Sequence, residues 1–167
     1  LVPDLIGKTA SAAQAKRTGS PAWDRGSFFE DSARNGGDED ARVCGNLLEV
    51  FESLGCSIGW GKGKTHGSFI PEYRGKQRHL FCTVYNYDRG SFVEISFQHM
   101  KPPFNELAYR LKLKSALEKI PGVQIPDDKL DKRPSFSTSL LTNEKNLALF
   151  TDVLKMYIAD IKASERT

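Results

Sequence analysis

The sequence predicts an α+β domain: a helix, a three- to four-stranded antiparallel sheet, then two helices packed on one face. Three observations carry this. Apolar residues recur at helical spacing over 38–54 and again over 143–163. Between them lie short runs rich in Phe, Tyr and Val that alternate with polar residues. The strand runs follow one another instead of alternating with helices, so neighbouring strands are joined by turns and pair antiparallel.

Over 38–54, Val43, Leu47, Phe51 and Leu54 form one stripe, widened by Cys44 and Leu48. Asp38, Glu39 and Asp40 stand where the N-terminal end of the helix dipole favours acids, and Gly55 is a natural stop. "CSIGW" is a short apolar strand, and "GSFIPEY" carries Pro71 and so belongs at an edge or a bend. "RHLFCTVYNY" and "SFVEISFQHM" are joined by a turn through Asp88 and Gly90. In the second, Val93, Ile95 and Phe97 should face the core, with Glu94, Ser96 and Gln98 outward. Asn105 is placed to cap a helix to Ile120 with Tyr109, Leu113, Ala116, Leu117 and Ile120 inward, and Pro121-Gly122 ends it. A loop follows, with one helical turn at 127–130. The last helix, 143–163, buries Leu147, Phe150, Leu154, Ile158 and Ile161.

Residues 1–22 are small and polar after Ile6 and read as a connector from a preceding domain, leaving 23–167 as a single domain. No apolar run approaches the length of a membrane span. Cys44, Cys56 and Cys82 are an odd set without a CxxC pair, which fits buried thiols in a reducing, cytoplasmic compartment.

The net charge of +3 hides a segregation. Residues 24–52 hold eight acids against three arginines, whereas 61–114 hold ten bases against four acids. A basic stretch interleaved with aromatics is the footprint of a phosphate-backbone binder. It also fits a sheet edge kept soluble by Lys and Arg.

The most unusual segment is "GWGKGKTHGSF". It ends a GKT triplet at Thr65, but a phosphate-binding P-loop needs a glycine at 58, where Ile58 stands, and a helix afterwards, where the chain reads as extended. The better expectation is a glycine-rich turn through Gly59, Gly61, Gly63 and Gly67 that holds Lys62, Lys64 and His66 outward. "FVEISFQ" lacks the acid-x-Lys of metal-dependent nucleases, because Glu94 is followed by Ile95 and Ser96. His66, His79 and His99 have no metal-ligand spacing, so no metal and no cofactor are expected, and no catalytic residue is assigned. Phe81, Tyr85 and Tyr87 alternate along one strand, where they either stack bases or pack the core in competition with Leu80, Cys82 and Val84.

From "SPAWDRGSFFED" through "GWGKGKTHGSFIPEY" and "FVEISFQHMKPPF" to "IPGVQIPDDKLDKRPSFSTSLL", the chain resembles an uncharacterised bacterial α+β domain associated with the C-terminal side of restriction-type nuclease-like proteins. The resemblance covers most of 20–163 and brings no catalytic residues. It implies an accessory or target-recognition role on DNA or RNA beside a nuclease-like neighbour. Lys62, Lys64, His66, Arg74, Lys76, Arg78 and Arg89 are then the phosphate-contacting set, extended by Arg110, Lys112 and Lys114. Two alternatives stay open. One is a protein-interaction or dimerisation domain whose acidic 24–52 segment docks on the basic stretch of a second copy. The other is an enzyme with an unfamiliar site near Glu94 and Gln98.

Overall fold

Helix α1 (Arg25–Ser53) begins at a capping box, in which the Asp24 carboxylate accepts from Ser27 N–H at 2.8 Å and Asp24 N–H donates to Ser27 Oγ at 3.0 Å. The computed structural model describes residues 22–166, so the expected connector lies, but for Ala22, outside the described residues. The helix is far longer than the 38–54 stripe. Its first half is joined through Gly37, whose φ of 85° is a left-handed value that glycine adopts without steric cost. Asp38, Glu39 and Asp40 therefore stand at the start of the second half. That half ends at Gly55: Gly55 N–H donates to Glu52 O and Cys56 N–H to Phe51 O, the paired bonds of a Schellman stop.

Six strands follow: β1 (Ser57–Trp60), β2 (Ser68–Arg74), β3 (Arg78–Leu80), β4 (Cys82–Tyr87), β5 (Gly90–Ile95) and β6 (Ser135–Ser137). The sheet is antiparallel, ordered β1-β2-β4-β5-β6, with β3 pairing β2. Two departures raise the count above the expected three or four. "RHLFCTVYNY" breaks at Phe81 into β3 and β4. "SFS", expected as loop, adds β6 through the pair Val93 and Phe136. β2 is interior, not an edge. Its Pro71 falls in the gap between the β4 pairing at Ser68 and Phe69 and the β3 pairing at Glu72–Arg74, where no N–H is required on that side.

β5 ends at Ile95, and Phe97 lies in a 3-10 turn, Phe97–His99. Val93, Ile95 and Phe97 are buried as expected, and Gln98 is exposed. Ser96 is buried, against the alternation, because the chain has left the sheet there and its N–H donates to Phe81 O at 2.9 Å. Helix α2 (Leu107–Leu117) has Glu106, not Asn105, at its N-cap position, without a side-chain cap bond, and is shorter than expected. Helix α3 (Glu144–Ser164) starts where Asn143 accepts from Asn146 N–H at 2.8 Å.

The two faces of the sheet differ. Phe69, Cys82, Val84, Val93, Ile95 and Phe136 are buried under α1 and α3, and Phe150 of α3 meets Phe51, Phe81 and Phe136 at ring distances of 6.1–6.2 Å. Helix α2 packs on α3, with Tyr109 Oη donating to Asp160 at 2.7 Å. Register places Ser68, Ile70, Glu72, Thr83, Tyr85, Tyr87, Phe92, Glu94, Ser135 and Ser137 on the opposite face, and none of them is buried.

Candidate functional site

The glycine-rich loop, 61–67, joins β1 to β2 and is fastened along its length. Gly61 N–H donates to Ser68 O, Trp23 N–H to Gly61 O, and the Trp23 indole N–H to Gly63 O at 2.7 Å. Gly67 is buried so closely that a Cβ there would lie 3.0 Å from Trp23 and 3.2 Å from Phe28. Only glycine lets the backbone approach this far.

Beneath the loop is a buried polar network. Asp31, 1% exposed, accepts from Gly67 N–H at 2.7 Å, from the Asn86 amide at 3.0 Å, from Asn35 at 2.8 Å and from Arg34 at 3.2 Å. Asp40 accepts from Ser32 Oγ, Ser91 N–H and Thr138 Oγ1 at 2.9–3.1 Å, and Ser91 Oγ lies 2.5 Å from it. The two carboxylates join both halves of α1 to β4, β5 and the segment after β6. Buried charge is tolerated because its lone pairs are answered by donors. The acid-rich segment thus turns part of its charge inward. Nothing in the local pattern marks Asp31 as buried or Asp40 as half-buried.

His66 is not held outward. Its Nε2 lies 2.9 Å from Asp88 Oδ1, its Nδ1 3.7 Å from Asp31, and its ring 5.7 Å from Tyr87. Two carboxylates and an aromatic face draw the ring in. Lys62 and Lys64 do point to solvent and, with Arg89 on the β4–β5 turn, make no ion pair or hydrogen bond among the described residues. The segment after the loop is strand β2, so no helix N-terminus faces Gly63-Lys64-Thr65.

The rest of the predicted set lies elsewhere. Arg74, Lys76 and Arg78 are at the far end of β2, about 20 Å away at the usual rise of a seven-residue strand. Glu72 pairs with Arg78 at 2.8 Å and Arg74 at 3.6 Å, and the Arg78 hydrogen bond holds its carboxyl below the usual range. Lys76 N–H donates to Glu165 at 2.6 Å. On α2, Arg110 donates to Phe97 O, Lys112 pairs with Asp160 and Lys114 with Asp127. The structure brings Lys62, Lys64, His66 and Arg89 together at one end of the sheet and separates them from the others.

Phe81 does not share a face with Tyr85 and Tyr87. The break between β3 and β4 turns it into the core against Phe150 and Tyr157. Its place on the open face is taken by Phe92, stacked on Tyr85 at 5.6 Å with 22° between the planes, and edge-on to Tyr87 at 6.5 Å. Alternation along β5 could have indicated Phe92, since it is the apolar residue on the polar side of that strand.

Burial raises the Cys44 and Cys56 thiols to about 11 and holds Cys82 well above its ordinary value, which leaves little thiolate at neutral pH. Among the described residues no cluster of His, Cys, Asp and Glu is placed to hold a metal, and no helix is long and apolar enough to cross a membrane.

Comparison with protein-family models, curated proteins and solved structures finds no match for this chain. No enzyme family is identified for it, and a functional reading rests on its own side chains.

Proposed function

We propose that the chain is a nucleic-acid-binding accessory or target-recognition domain of a larger bacterial protein, meeting phosphates through the glycine-rich loop and the β4–β5 turn. One observation carries the reading: Lys62, Lys64 and Arg89 stand exposed, without acidic partners among the described residues, on a backbone fixed by Trp23, Asp31 and Asn86. Cations on a preorganised loop lose little freedom when they meet a polyanion. Nearby acids are engaged elsewhere: Asp31 and Asp40 in the polar network under the loop, and Glu39 in an exposed pair with Arg42. Arg74, Lys76 and Arg78 form a second, weaker contact, because Glu72 already offsets the two arginines.

Fluorescence anisotropy with short DNA and RNA probes tests this across a range of salt. Log K should fall with log salt by about 0.9 per duplex phosphate engaged, and Lys62→Ala with Lys64→Ala should reduce the slope by about two. Non-specific binders ordinarily reach dissociation constants of about 10⁻⁴ to 10⁻⁶ M at physiological salt, so the absence of binding even at low salt rejects the reading.

A second reading has its own observation. Leu107 and Leu111, one turn apart on α2, are 62% and 43% exposed. That pair suits a protein contact, either with a neighbouring nuclease-like domain or with a second copy. Light scattering on the chain and on Leu107→Ser with Leu111→Ser would reveal a self-association that depends on this face.

A further inference from the structure

Four rings form a continuous array from the open sheet face to the glycine-rich loop. Tyr85 stacks on Phe92, Phe92 meets Tyr87, and Tyr87 meets His66, with centroids 5.6, 6.5 and 5.7 Å apart. Tyr85 and Phe92 are cross-strand partners, so register fixes their pairing. Tyr87 is 55% exposed. No helix among the described residues lies over this face.

The charges around the array are one-sided. The carboxylates on this face are already engaged: Glu72 has Arg74 and Arg78, Glu94 has Arg133 at 3.7 Å, and Asp88 lies 2.9 Å from His66 Nε2. Lys62, Lys64 and Arg89, which border the array through His66 and Tyr87, have no ion-pair partner among the described residues. The surface therefore sets one exposed ring, Tyr87, and the half-buried Tyr85–Phe92 pair beside basic side chains that have no ion-pair partner among the described residues. Duplex nucleic acid offers phosphates but hides its base faces in the stack, whereas a single strand offers both.

We infer that the open face of the sheet binds single-stranded nucleic acid, with bases stacking on Tyr87 and the Tyr85–Phe92 pair and the backbone running toward Lys62, Lys64 and Arg89. This rests on the phosphate-binding reading above and narrows it to unpaired strands. The buried network under the loop serves this binding by fixing the His66 end of the array against the cations. Sequence preference is weak, because every base has a π-face.

The test uses the full chain, labelled oligo(dT) and oligo(U) strands, and a duplex of matched length. The strands should bind at least about tenfold more tightly than the duplex, and Tyr85→Ala with Tyr87→Ala should remove about tenfold or more of that affinity. Duplex binding and its salt slope should stay unchanged. Tyr87→Ala alone alters only an exposed ring and keeps the experiment readable should the double variant melt, and Tyr87→Phe should bind as the unaltered chain does. Strands and duplex bound equally, or an equal loss on both in the aromatic variants, overturns the inference while the phosphate-binding reading stands. No binding to any probe overturns both.

Discussion

The two ends of the sheet solve the same problem in opposite ways. Both carry basic side chains and a histidine near the surface. At the loop end the buried polar atoms are satisfied: Asp31, Asn86, Ser91 and Asp40 answer one another, and the cations above them are left exposed. At the far end Glu72 offsets part of the charge of Arg74 and Arg78, while His79, 3% exposed, has no hydrogen-bond partner among the described residues on either ring nitrogen. Its Nε2 is 3.9 Å from Glu165, and its ring lies edge-on to Phe104. A satisfied interior with free surface charge is the arrangement of a binding surface. A neutralised surface over an unsatisfied imidazole is the arrangement of a packed joint between the β2–β3 turn and the end of α3.

The sharpest way to break the comparison is to remove the acid that organises the loop end. Asp31→Ala leaves Gly67 N–H and the Asn86 amide buried without their acceptor. Each lost acceptor costs about 1–3 kcal/mol, so the loss should be about 3–5 kcal/mol in a urea melt. Amide exchange should rise first at Gly67 and Asn86. A loss under about 1 kcal/mol would show that water replaces the carboxylate and that the loop does not depend on it.

The far end should respond to pH instead. Burial holds His79 below its ordinary value, opposed by Glu165 and assisted by Lys101. The unfolded chain then takes up the proton first. Stability is full above about pH 6.5, where both states are neutral, and falls as pH drops from there toward the folded-state value. His79→Leu should flatten that decline in thermal melts between pH 7 and 5. An equally steep decline in the variant would assign it to other groups.

How much of this was legible follows from the same contrast. Features with a period were readable: the stripe from Val43 to Phe51, the alternation through Val93 and Ile95, and the Phe150–Ile161 face of α3. Those that depend on a distant partner were not. Residues 25–36 are helical because Phe28 packs on Trp60 and Phe69 while Asp31 reaches Gly67, although Gly36-Gly37 reads as a break. β6 has three residues and exists only through its pairing with β5. Of the basic set, composition indicated which residues carry charge. Only the fold shows that Lys62, Lys64 and Arg89 meet at one end while Arg74 and Arg78 are spent on Glu72. His66 was read as outward because its two carboxylates lie 35 residues before it and 22 after.

A smaller effect should follow from Arg78→Ala. It removes the closer of the two cations on Glu72, an exposed pair of the kind worth about 0.2–1 kcal/mol. The carboxyl of Glu72 should then titrate higher, since that hydrogen bond is the main cause of its depression. Carboxyl chemical shifts against pH would follow it, and an unmoved Glu72 would mean that Arg74 alone suffices.

The smallest expected change is the most informative about the loop. The Lys62 and Lys64 side chains make no ion pair or hydrogen bond among the described residues, and the loop is held by Trp23 to Gly61 and Gly63, and by Asp31 and Asn86 to Gly67. Lys62→Ala with Lys64→Ala should therefore change folding stability by no more than about 0.5 kcal/mol, and the Gly67 amide should exchange as slowly as before. The same double change is the one proposed to weaken phosphate binding. If stability falls by more than about 1 kcal/mol, the lysines shape the loop, and any loss of binding would be a loss of structure. If stability is unchanged, weakened binding belongs to the charges themselves. The loop end would then be a surface whose shape is set from below by Asp31 and whose affinity is set from above by cations that play no part in folding.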